Sequence, residues 1–377
     1  MKIAIITSGL LPMPSVKDGA IETLLQYVID YNEYNNNNIN FDIYSIYDNN
    51  AREESTKYKN SKFIYVKNNK IMKKISDFVF KFFRKIQLYP DPNFEFQFIK
   101  NVFKLIKKNK YDYIIVESEN HFADYVVRRT KIPVILYLHN NKLNNKTKNS
   151  EFISAKLYKI WTVSNYIKNE VLTIDKKLEK KTIVIYNGID LKKFKNIKKV
   201  EHDGINYLYV GRIEKSKGVL ELVRAFNNLN TKSKLYIVGG SFHSNNKVTK
   251  YYNEVKKISG TNVIFTGYVK NDELKNIYKN IDIQVVPSIW QEPAGLVNTE
   301  AICAGVGLIV SDVGGIREYI NKNTKLVKCD KNFVNNLTEA MKNYDINQKK
   351  DLQFDLDFFS STNYASRVID EIKKLGE

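Results

Sequence analysis

The chain has 377 residues, with 60 Lys and Arg against 41 Asp and Glu, and a net charge of +19. This length predicts two to three domains of about 150 residues, and the basic excess favours an anionic partner such as a nucleotide, a nucleic acid or an anionic lipid. Two cysteines are too few for a disulfide framework, and no apolar run approaches the ~18 residues of a membrane span, so we expect a cytoplasmic protein.

The chain opens with a short apolar stretch. Lys2–Thr7 is too short for a signal peptide and predicts a first strand instead. A loop with Gly9 and Gly19 follows, and an amphipathic helix begins at about Ile21. An open α/β sheet presents a binding site at its strand ends through this order of strand, glycine-containing loop and helix. An ordinary connecting loop explains this stretch equally well.

The stretch Lys70–Ile86 has the pattern of a basic amphipathic helix. Its apolar residues recur at three- and four-residue steps, with basic residues between them. These basic residues are Lys73, Lys74, Lys81, Arg84 and Lys85. The pattern is typical of segments that bind a membrane surface. A helix docked on its own domain with a solvated basic face is the alternative, and both interpretations stay open.

Strands continue to alternate with helical segments along the rest of the chain. The predicted strands before residue 190 include Phe41–Tyr44, Phe63–Val66, Tyr113–Val116, Val134–Tyr137, Ile160–Val163 and Ile183–Tyr186. Those after it are Tyr207–Val210, Leu235–Val238, Val263–Phe265, Ile283–Val286, Leu308–Val310 and Leu326–Lys328. This alternation predicts parallel sheets covered by helices on both faces, one sheet in each half of the chain.

A basic turn follows the first strand of the second half. That strand ends at Gly211, and Arg212 and Lys217 precede a helix that begins near Val219. Two fixed cations beside a helix N-terminus suit a leaving diphosphate. A solvated basic turn is the alternative, and the spacing of the two cations disfavours it.

Two carboxylates flank another helix start. A buried strand ends at Pro287, a polar loop carries Glu292, and the helix that starts near Gly295 carries Glu300. The open amides of a helix N-terminus suit a phosphate, which a carboxylate would repel. We therefore expect Glu292 and Glu300 to accept hydrogen bonds from hydroxyl groups on either side of a diphosphate, such as those of a sugar and a ribose.

These motifs resemble those of the retaining family-4 glycosyltransferases. The run Glu-Pro-Ala-Gly-Leu-Val-Asn-Thr-Glu-Ala over 292–301 is similar to the family hallmark of two glutamates separated by seven residues, and 211–218 is similar to its Gly-Arg-x-x-x-x-Lys-Gly element. The resemblance implies the α/β GT-B fold, in which two Rossmann-like, doubly wound domains face each other across a cleft. Ala294 departs from the family's usual Phe, but only the main chain at this position would meet the diphosphate.

The resemblance also implies the domain limits and the site residues. It places the first domain at 1–188, the donor-binding domain at 189–359 and a returning helix at 360–377. The implied catalytic residues are His139, Arg212, Lys217 and Glu292, with His139 facing the donor sugar. The implied donor-binding residues are Gly19, Arg212, Lys217, Val269, Glu292, Ala294, Gly295, Leu296, Val297 and Glu300. No protein nucleophile, metal or other cofactor is expected, and Asp355 and Asp357 lie too far from the motifs to be a metal site.

The expected function is sugar transfer with retention from a nucleotide sugar, most simply a UDP-sugar, to a glycan or a lipid-linked glycan in surface polysaccharide synthesis. The enzyme would be cytoplasmic, or peripheral on the inner face of the membrane if the 70–86 segment binds lipid. A non-catalytic accessory subunit and a sugar-nucleotide epimerase are the alternatives, and the intact basic and acidic motifs argue against both. No recognition motif supports nucleic-acid binding.

Overall fold

A computed structural model describes residues 1–17, 19–66, 96–229, 232–240, 248–347, 351 and 353–377. The predicted basic helix at 70–86 and Asp18 of the first glycine loop lie outside these residues. The chain forms two compact units. Unit 1 comprises 1–163, 167–185 and 365–377, and unit 2 comprises 164–166 and 186–364.

Unit 1 is built on a parallel sheet of seven strands in the order β3-β2-β1-β4-β5-β6-β7. The strands are β1 (Lys2–Ile6), β2 (Asn40–Ile46), β3 (Ser61–Val66), β4 (Tyr113–Glu117), β5 (Val134–Leu138), β6 (Lys159–Thr162) and β7 (Thr182–Val184). The strand order reverses between β1 and β4. In an open α/β sheet, ligands bind at such a reversal, outside the carboxyl ends of the strands.

The described helices up to residue 185 are α1 (Ala20–Asn35), α2 (Asn49–Glu54), α3 (Phe96–Ile106), α4 (Asn120–Val127), α5 (Ser150–Lys156) and α6 (Asn165–Leu172). The apolar residues of β1 show why the sheet needs cover on both faces. Ile3, Ala4, Ile5 and Ile6 are all buried, although successive side chains point to opposite faces. A continuous apolar run of this kind is typical of a parallel strand.

Unit 2 is built on a parallel sheet of six strands in the order β10-β9-β8-β11-β12-β13. The strands are β8 (Asn206–Val210), β9 (Lys234–Val238), β10 (Val263–Gly267), β11 (Ile283–Val286), β12 (Gly307–Ser311) and β13 (Lys325–Val327). Tyr207 and Tyr209 pack into one hydrophobic cluster and Leu208 into another, so both faces of the sheet are buried. The order reverses between β8 and β11, which are the strands that precede the predicted basic turn and the predicted acidic loop.

Among the residues that the structure describes, the later helices are α7 (Val219–Asn227), α8 (Lys250–Ile258), α9 (Leu274–Tyr278), α10 (Leu296–Ala304), α11 (Phe333–Lys342) and α12 (Ser361–Lys373). Each unit is therefore the doubly wound parallel α/β domain that the sequence predicts. Along the chain, unit 1 gives way to unit 2 between Ile185 and Tyr186, three residues before the crossover expected at 188/189. None of the described helices combines the length and the apolar character that crossing a bilayer requires.

Candidate functional site

The basic turn and the acidic loop of unit 2 pack directly against each other at the strand reversal. Gly218 has a left-handed φ of +67°, and a Cβ added to it would lie 1.9 Å from the Pro287 carbonyl oxygen. The Ile289 amide donates to the Ser216 carbonyl over 2.9 Å. Only glycine permits this approach of two backbones, because any side chain at 218 would overlap the main chain of the loop.

This packing brings together a predicted cation and a predicted carboxylate that are 75 residues apart. Lys217 Nζ lies 2.6 Å from Glu292 Oε1, and the Ser288 hydroxyl donates to the same oxygen over 2.5 Å. The ammonium also lies 5.3 Å from the Trp290 ring centroid, a distance at which a cation is attracted to the ring face. The Lys217 and Glu292 side chains are only 18% and 11% exposed. Partial burial strengthens their interaction relative to a surface ion pair.

Arg212, the second predicted cation, has a more open environment. Its side chain is 45% exposed, and Nη1 lies 3.1 Å from Glu214 Oε2 in the same turn. Its main chain is fixed, because the Tyr209 hydroxyl donates to the Arg212 carbonyl over 2.6 Å. The two predicted cations of the turn therefore differ: Lys217 is partly buried and paired across two loops, whereas Arg212 is a surface side chain on a fixed backbone.

Glu300 lies on α10 and is buried in unit 2. Burial raises the pKa of its carboxyl group to about 7, and Lys193 partly opposes this rise. The neighbouring Asn298 and Thr299 are fully buried. Within the part of the chain that the structure describes, Asn298 Oδ1, Asn298 Nδ2 and Thr299 Oγ1 have no hydrogen-bond partner. Buried polar atoms without partners are uncommon in native proteins and are expected where a ligand or water completes the network.

The loop between Glu292 and α10 is held through its main chain. The Gly315 amide donates to the Glu292 carbonyl over 2.7 Å, and the Ser164 hydroxyl donates to the Pro293 carbonyl over 2.6 Å. Gly314 has a left-handed φ of +55°, and a Cβ there would lie 2.2 Å from the Glu292 carbonyl oxygen. These contacts fix the position of Glu292 and lead the chain into Ala294, Gly295 and the start of α10.

The predicted base-binding segment follows β10. Gly267, two residues before Val269, has a φ of +73° and accepts a hydrogen bond from the Gly239 amide over 2.9 Å. A Cβ on Gly239 would lie 1.9 Å from the Gly211 carbonyl oxygen. The carboxyl ends of β8, β9 and β10 are thus joined through glycine backbones. Within unit 2 every predicted donor residue after 189 lies in a segment that follows a strand of this sheet: β8 for Arg212 and Lys217, β10 for Val269, and β11 for 292–300.

His139 and Gly19, the predicted site residues of unit 1, lie after β5 and before α1. His139 Nε2 is 3.1 Å from Glu117 Oε2, and both side chains are 5% exposed. A Cβ on Gly19 would lie 2.1 Å from Glu22 Oε2. Gly19 therefore leaves room for the buried Glu22 carboxylate, which accepts a hydrogen bond from the Ser8 hydroxyl over 3.0 Å.

Sequence reasoning missed Glu22 and Glu117. Both are buried, and burial raises the pKa of the Glu22 carboxyl group, with Glu117 adding to the rise. An acidic residue in the first turn of a helix is common because it complements the helix dipole, so Glu22 gave no distinct signal. Glu117 is the last residue of β4, one position beyond the predicted strand. Glu117 could have been found only together with His139. The two residues come at the ends of adjacent parallel strands, and polar residues at such positions meet at one edge of the sheet.

No group of three or more potential metal ligands occurs among the described residues. Asp357 pairs with Lys195 at 3.0 Å, and Asp355 Oδ1 accepts a hydrogen bond from the Phe358 amide over 3.0 Å. These two aspartates therefore have local structural partners.

Two family models match the chain in succession. Residues 69–193 match Glycosyltransferase Family 4, and residues 190–354 match Glycosyl transferases group 1. An uncharacterized glycosyltransferase of Methanocaldococcus jannaschii is 35% identical over 175 residues, which is 42% of this chain and 43% of that protein. The lipopolysaccharide 1,2-N-acetylglucosaminetransferase of Salmonella typhimurium is 34% identical over 128 residues, 32% of this chain and 34% of that protein. The chain therefore spans less than half the length of both relatives.

Solved structures match over the whole chain. A glycosyltransferase from Rickettsia africae superposes with a TM-score of 0.74 at 19% identity, covering 100% of this chain and 98% of that one. The Anabaena protein HepE, solved in complex with UDP and glucose, superposes with a TM-score of 0.70 at 16% identity, covering 99% and 100%. The shared fold and the two matched regions identify this chain as a GT-B, glycosyltransferase family 4-like protein.

Proposed function

We propose that this protein is a retaining glycosyltransferase that moves a hexosyl group from a UDP-sugar to a glycan or lipid-linked glycan acceptor in the synthesis of a surface polysaccharide or glycoconjugate. The contact between Lys217 and Glu292 carries the proposal, because it places a cation suited to a diphosphate beside a carboxylate suited to sugar hydroxyl groups. The UDP complexes of the Anabaena protein and the lipopolysaccharide activity named for the Salmonella relative agree with this choice of substrates.

In the proposed reaction, charge stabilisation of the departing diphosphate supplies most of the rate enhancement. Lys217, Arg212 and the open amides at the start of α10 bind the diphosphate as negative charge develops on it. Glu300 accepts hydrogen bonds from the ribose, and Glu292 accepts them from the transferred sugar. The acceptor hydroxyl attacks from the face that the diphosphate leaves and passes its proton to the departing phosphate, so neither a protein nucleophile nor a metal is required.

In this scheme, donor binding breaks the ion pair between Glu292 and Lys217. When a diphosphate competes for Lys217, the Glu292 carboxylate loses its cation and becomes free to accept hydrogen bonds from the sugar. The Ser288 hydroxyl, 2.5 Å from Glu292 Oε1, would keep the carboxylate in place during the exchange. A donor that carries both a diphosphate and a sugar therefore satisfies Lys217 and Glu292 together, whereas either fragment alone leaves one of them unpaired.

A panel of nucleotide sugars tests the proposal without knowledge of the acceptor. We expect slow hydrolysis of one UDP-sugar by the native protein and loss of that hydrolysis in Lys217→Ala. Lys215→Ala is the matched control, because Lys215 is an exposed cation in the same turn. The absence of hydrolysis and of UDP binding across the panel would contradict the proposal and favour a non-catalytic protein.

We also propose that the acceptor is presented at an anionic membrane surface through the 70–86 segment, on the strength of its sequence pattern. Anionic lipid attracts basic segments by about 1 kcal/mol per nearby Lys or Arg. Replacing Lys73, Lys74, Lys81, Arg84 and Lys85 by Gln should release the protein from anionic liposomes without changing UDP affinity, and high salt should release the native protein. Native protein that fails to sediment with anionic liposomes at low salt would contradict this part of the proposal.

A further inference from the structure

The buried carboxylate beside His139 has no role in the function proposed above. Glu117 ends β4 and His139 follows the adjacent strand β5, so the two side chains lie at the carboxyl edge of the unit 1 sheet. The strand order of this sheet reverses between β1 and β4. Ligands of open α/β sheets usually bind at such a reversal. The pair is therefore built into the part of unit 1 where a substrate is expected.

The contact between Glu117 and His139 fixes one nitrogen of the ring. Nε2 lies 3.1 Å from Glu117 Oε2, so a neutral imidazole carries its proton on Nε2 and donates it to the carboxylate. The Tyr137 ring lies 4.3 Å from the imidazole, centroid to centroid, and restricts its rotation. The Nδ1 atom is buried and has no hydrogen-bond partner among the described residues. A buried polar atom without a partner is expected where a ligand or water completes the network.

The backbone after Glu117 is held in an unfavourable conformation. Ser118 has a left-handed φ of 63°, which a residue other than glycine adopts only at a conformational cost. Its amide donates to the Tyr137 carbonyl over 2.8 Å, and its carbonyl accepts from Asn140 Nδ2 over 3.1 Å. Both contacts tie Ser118 to the segment that carries His139, so the two strand ends are fixed relative to each other through main chain as well as side chains.

A further charged group near the pair is Glu22, on α1. Its carboxyl group interacts electrostatically with both Glu117 and His139, but it accepts its hydrogen bond from the Ser8 hydroxyl at 3.0 Å. Glu117 is the carboxylate within hydrogen-bond distance of the ring. The geometry therefore distinguishes the two acids: Glu117 contacts His139, and Glu22 contributes charge from a neighbouring element.

We propose that Glu117 is a positioning residue: it holds the ring of His139 with Nε2 protonated and directs the free Nδ1 toward the bound substrate. This inference rests on the proposed function, because His139 owes its assignment near the donor sugar to the family resemblance. The role of Glu117 itself comes from the contact and from the fixed backbone around it. A partner that orients a histidine in this way is expected to change turnover more than substrate binding.

Nuclear magnetic resonance of protein labelled with ¹⁵N-histidine tests the hydrogen bond independently of activity. At a pH where His139 is neutral, we expect its ring proton on Nε2, shifted downfield and slow to exchange because it is donated to a buried carboxylate. His139→Gln assigns the signal among the four histidines of the chain. Glu117→Leu should abolish the slow exchange, whereas Glu117→Gln, whose amide oxygen still accepts, should keep the proton on Nε2 with a smaller downfield shift.

Kinetics with the donor found in the panel then test the consequence of that hydrogen bond. Glu117→Leu should lower kcat by about tenfold to 100-fold, by analogy with the loss of a carboxylate partner from a metal-bound histidine, with little change in KM. Glu117→Gln should restore part of the loss. Glu151→Leu and Glu151→Gln, at an exposed site on α5, are the matched controls and should behave like the native protein.

The outcomes distinguish failure of the positioning role from failure of the proposed function. A ring proton on Nδ1, or a native signal that Glu117→Leu does not change, would overturn the positioning role whatever the activity. The positioning role would also be overturned if Glu117→Leu and Glu117→Gln lost stability equally while kcat stayed native, since that outcome indicates packing only. If the native protein hydrolyses no nucleotide sugar, the proposed function fails, and the Nε2 signal still decides whether Glu117 holds the ring.

Discussion

In unit 1 two buried glutamates and a histidine lie near the carboxyl edge of the sheet. In unit 2 the loops at that edge carry Lys217, Arg212 and Glu292, and Lys217 forms an ion pair with Glu292. The first arrangement would repel a phosphate and suits hydroxyl groups that donate to carboxylates. The second offers cations and a helix N-terminus to a diphosphate, together with a carboxylate for a sugar. Two sheets that share a strand order, apart from the additional β7 in unit 1, thus carry different chemical groups near their carboxyl edges.

Substitution of glycine gives the first test of this comparison. Each of the two edges contains a glycine at which an added side chain would overlap its neighbours. Gly218→Ala meets the main chain of Pro287 at 1.9 Å from a left-handed φ of +67°. We expect it to destabilise unit 2 by about 3 kcal/mol or more, the sum of the conformational and overlap costs.

Gly19→Ala is the matched change in unit 1. Its Cβ would meet two side-chain ends, Glu22 Oε2 at 2.1 Å and Leu11 Cδ1 at 2.5 Å, with an ordinary extended backbone. Side-chain ends can move aside whereas main chain cannot, so we expect a smaller loss of about 1 kcal/mol. Calorimetric unfolding of both variants measures the difference, and equal losses would show that the two edges are not distinguished by backbone packing.

Lys217→Ala should have the largest effect on nucleotide binding. It removes a charge-assisted contact worth about 1.5–3 kcal/mol, so UDP affinity should fall by about tenfold to 150-fold. Titration calorimetry against the Lys215→Ala control measures this loss. Unchanged UDP affinity in both Lys217→Ala and Arg212→Ala would remove the basis for a diphosphate site in unit 2.

The two glutamates of unit 2 should separate in their effects. Glu300→Ala should weaken UDP binding, because we assign Glu300 to the ribose. Glu292→Ala should damage turnover, and since it releases Lys217 from its ion pair at 2.6 Å, UDP affinity should stay the same or increase. An equal fall in UDP affinity in both variants would refute this division of roles.

Glu300 also predicts a pH dependence. Burial raises the pKa of its carboxyl group from 4.5 to about 7, so the group is largely protonated at pH 6 and ionised at pH 8. If the ionised form accepts the ribose hydroxyl groups, affinity for UDP should rise by about tenfold over this interval. Glu300→Gln should flatten the profile. A native profile that is already flat, or falls with pH, would contradict the role of the carboxylate.

Arg212→Ala should have the smallest effect on nucleotide affinity. The side chain is 45% exposed, and solvent and salt screen exposed charges more than buried ones. We expect a loss of about tenfold or less at low ionic strength, which should shrink in high salt, whereas the effect of Lys217→Ala should persist. Equal salt sensitivity would indicate that both cations act from the surface.

The fold was predictable because its signals are local. Each parallel strand is an apolar run bounded by polar residues, so the predicted Ile283–Val286 matches the observed strand, and the other predicted strands end within two residues of the structure. The position of the unit 2 motifs was predictable for a similar reason, since strand ends and helix starts mark the carboxyl edge of a sheet. The roles of the motif residues stay predictions.

The contacts within the edge were not predictable. Sequence spacing placed Lys217 on a diphosphate and Glu292 on a sugar, and it gave no indication that the two side chains pair with each other. Such contacts depend on how two loops 75 residues apart pack, which a glycine at 218 permits. Glu117 and Glu22 were missed because a buried carboxylate has the same sequence signature as an exposed one until its neighbours in space are known.

Unit 1 is made of segments that are far apart in the chain, and this affects how it folds during synthesis. Residues 365–377 belong to unit 1 but follow the whole of unit 2 in the chain. They bury Ala365, Val368, Ile369 and Ile372, and the Tyr113 hydroxyl donates to the Leu375 carbonyl. Domains tend to fold in the order of their synthesis, so most of unit 1 is made before unit 2. Part of the apolar surface of unit 1 nevertheless stays uncovered until residues 365–377, which follow unit 2, have been made.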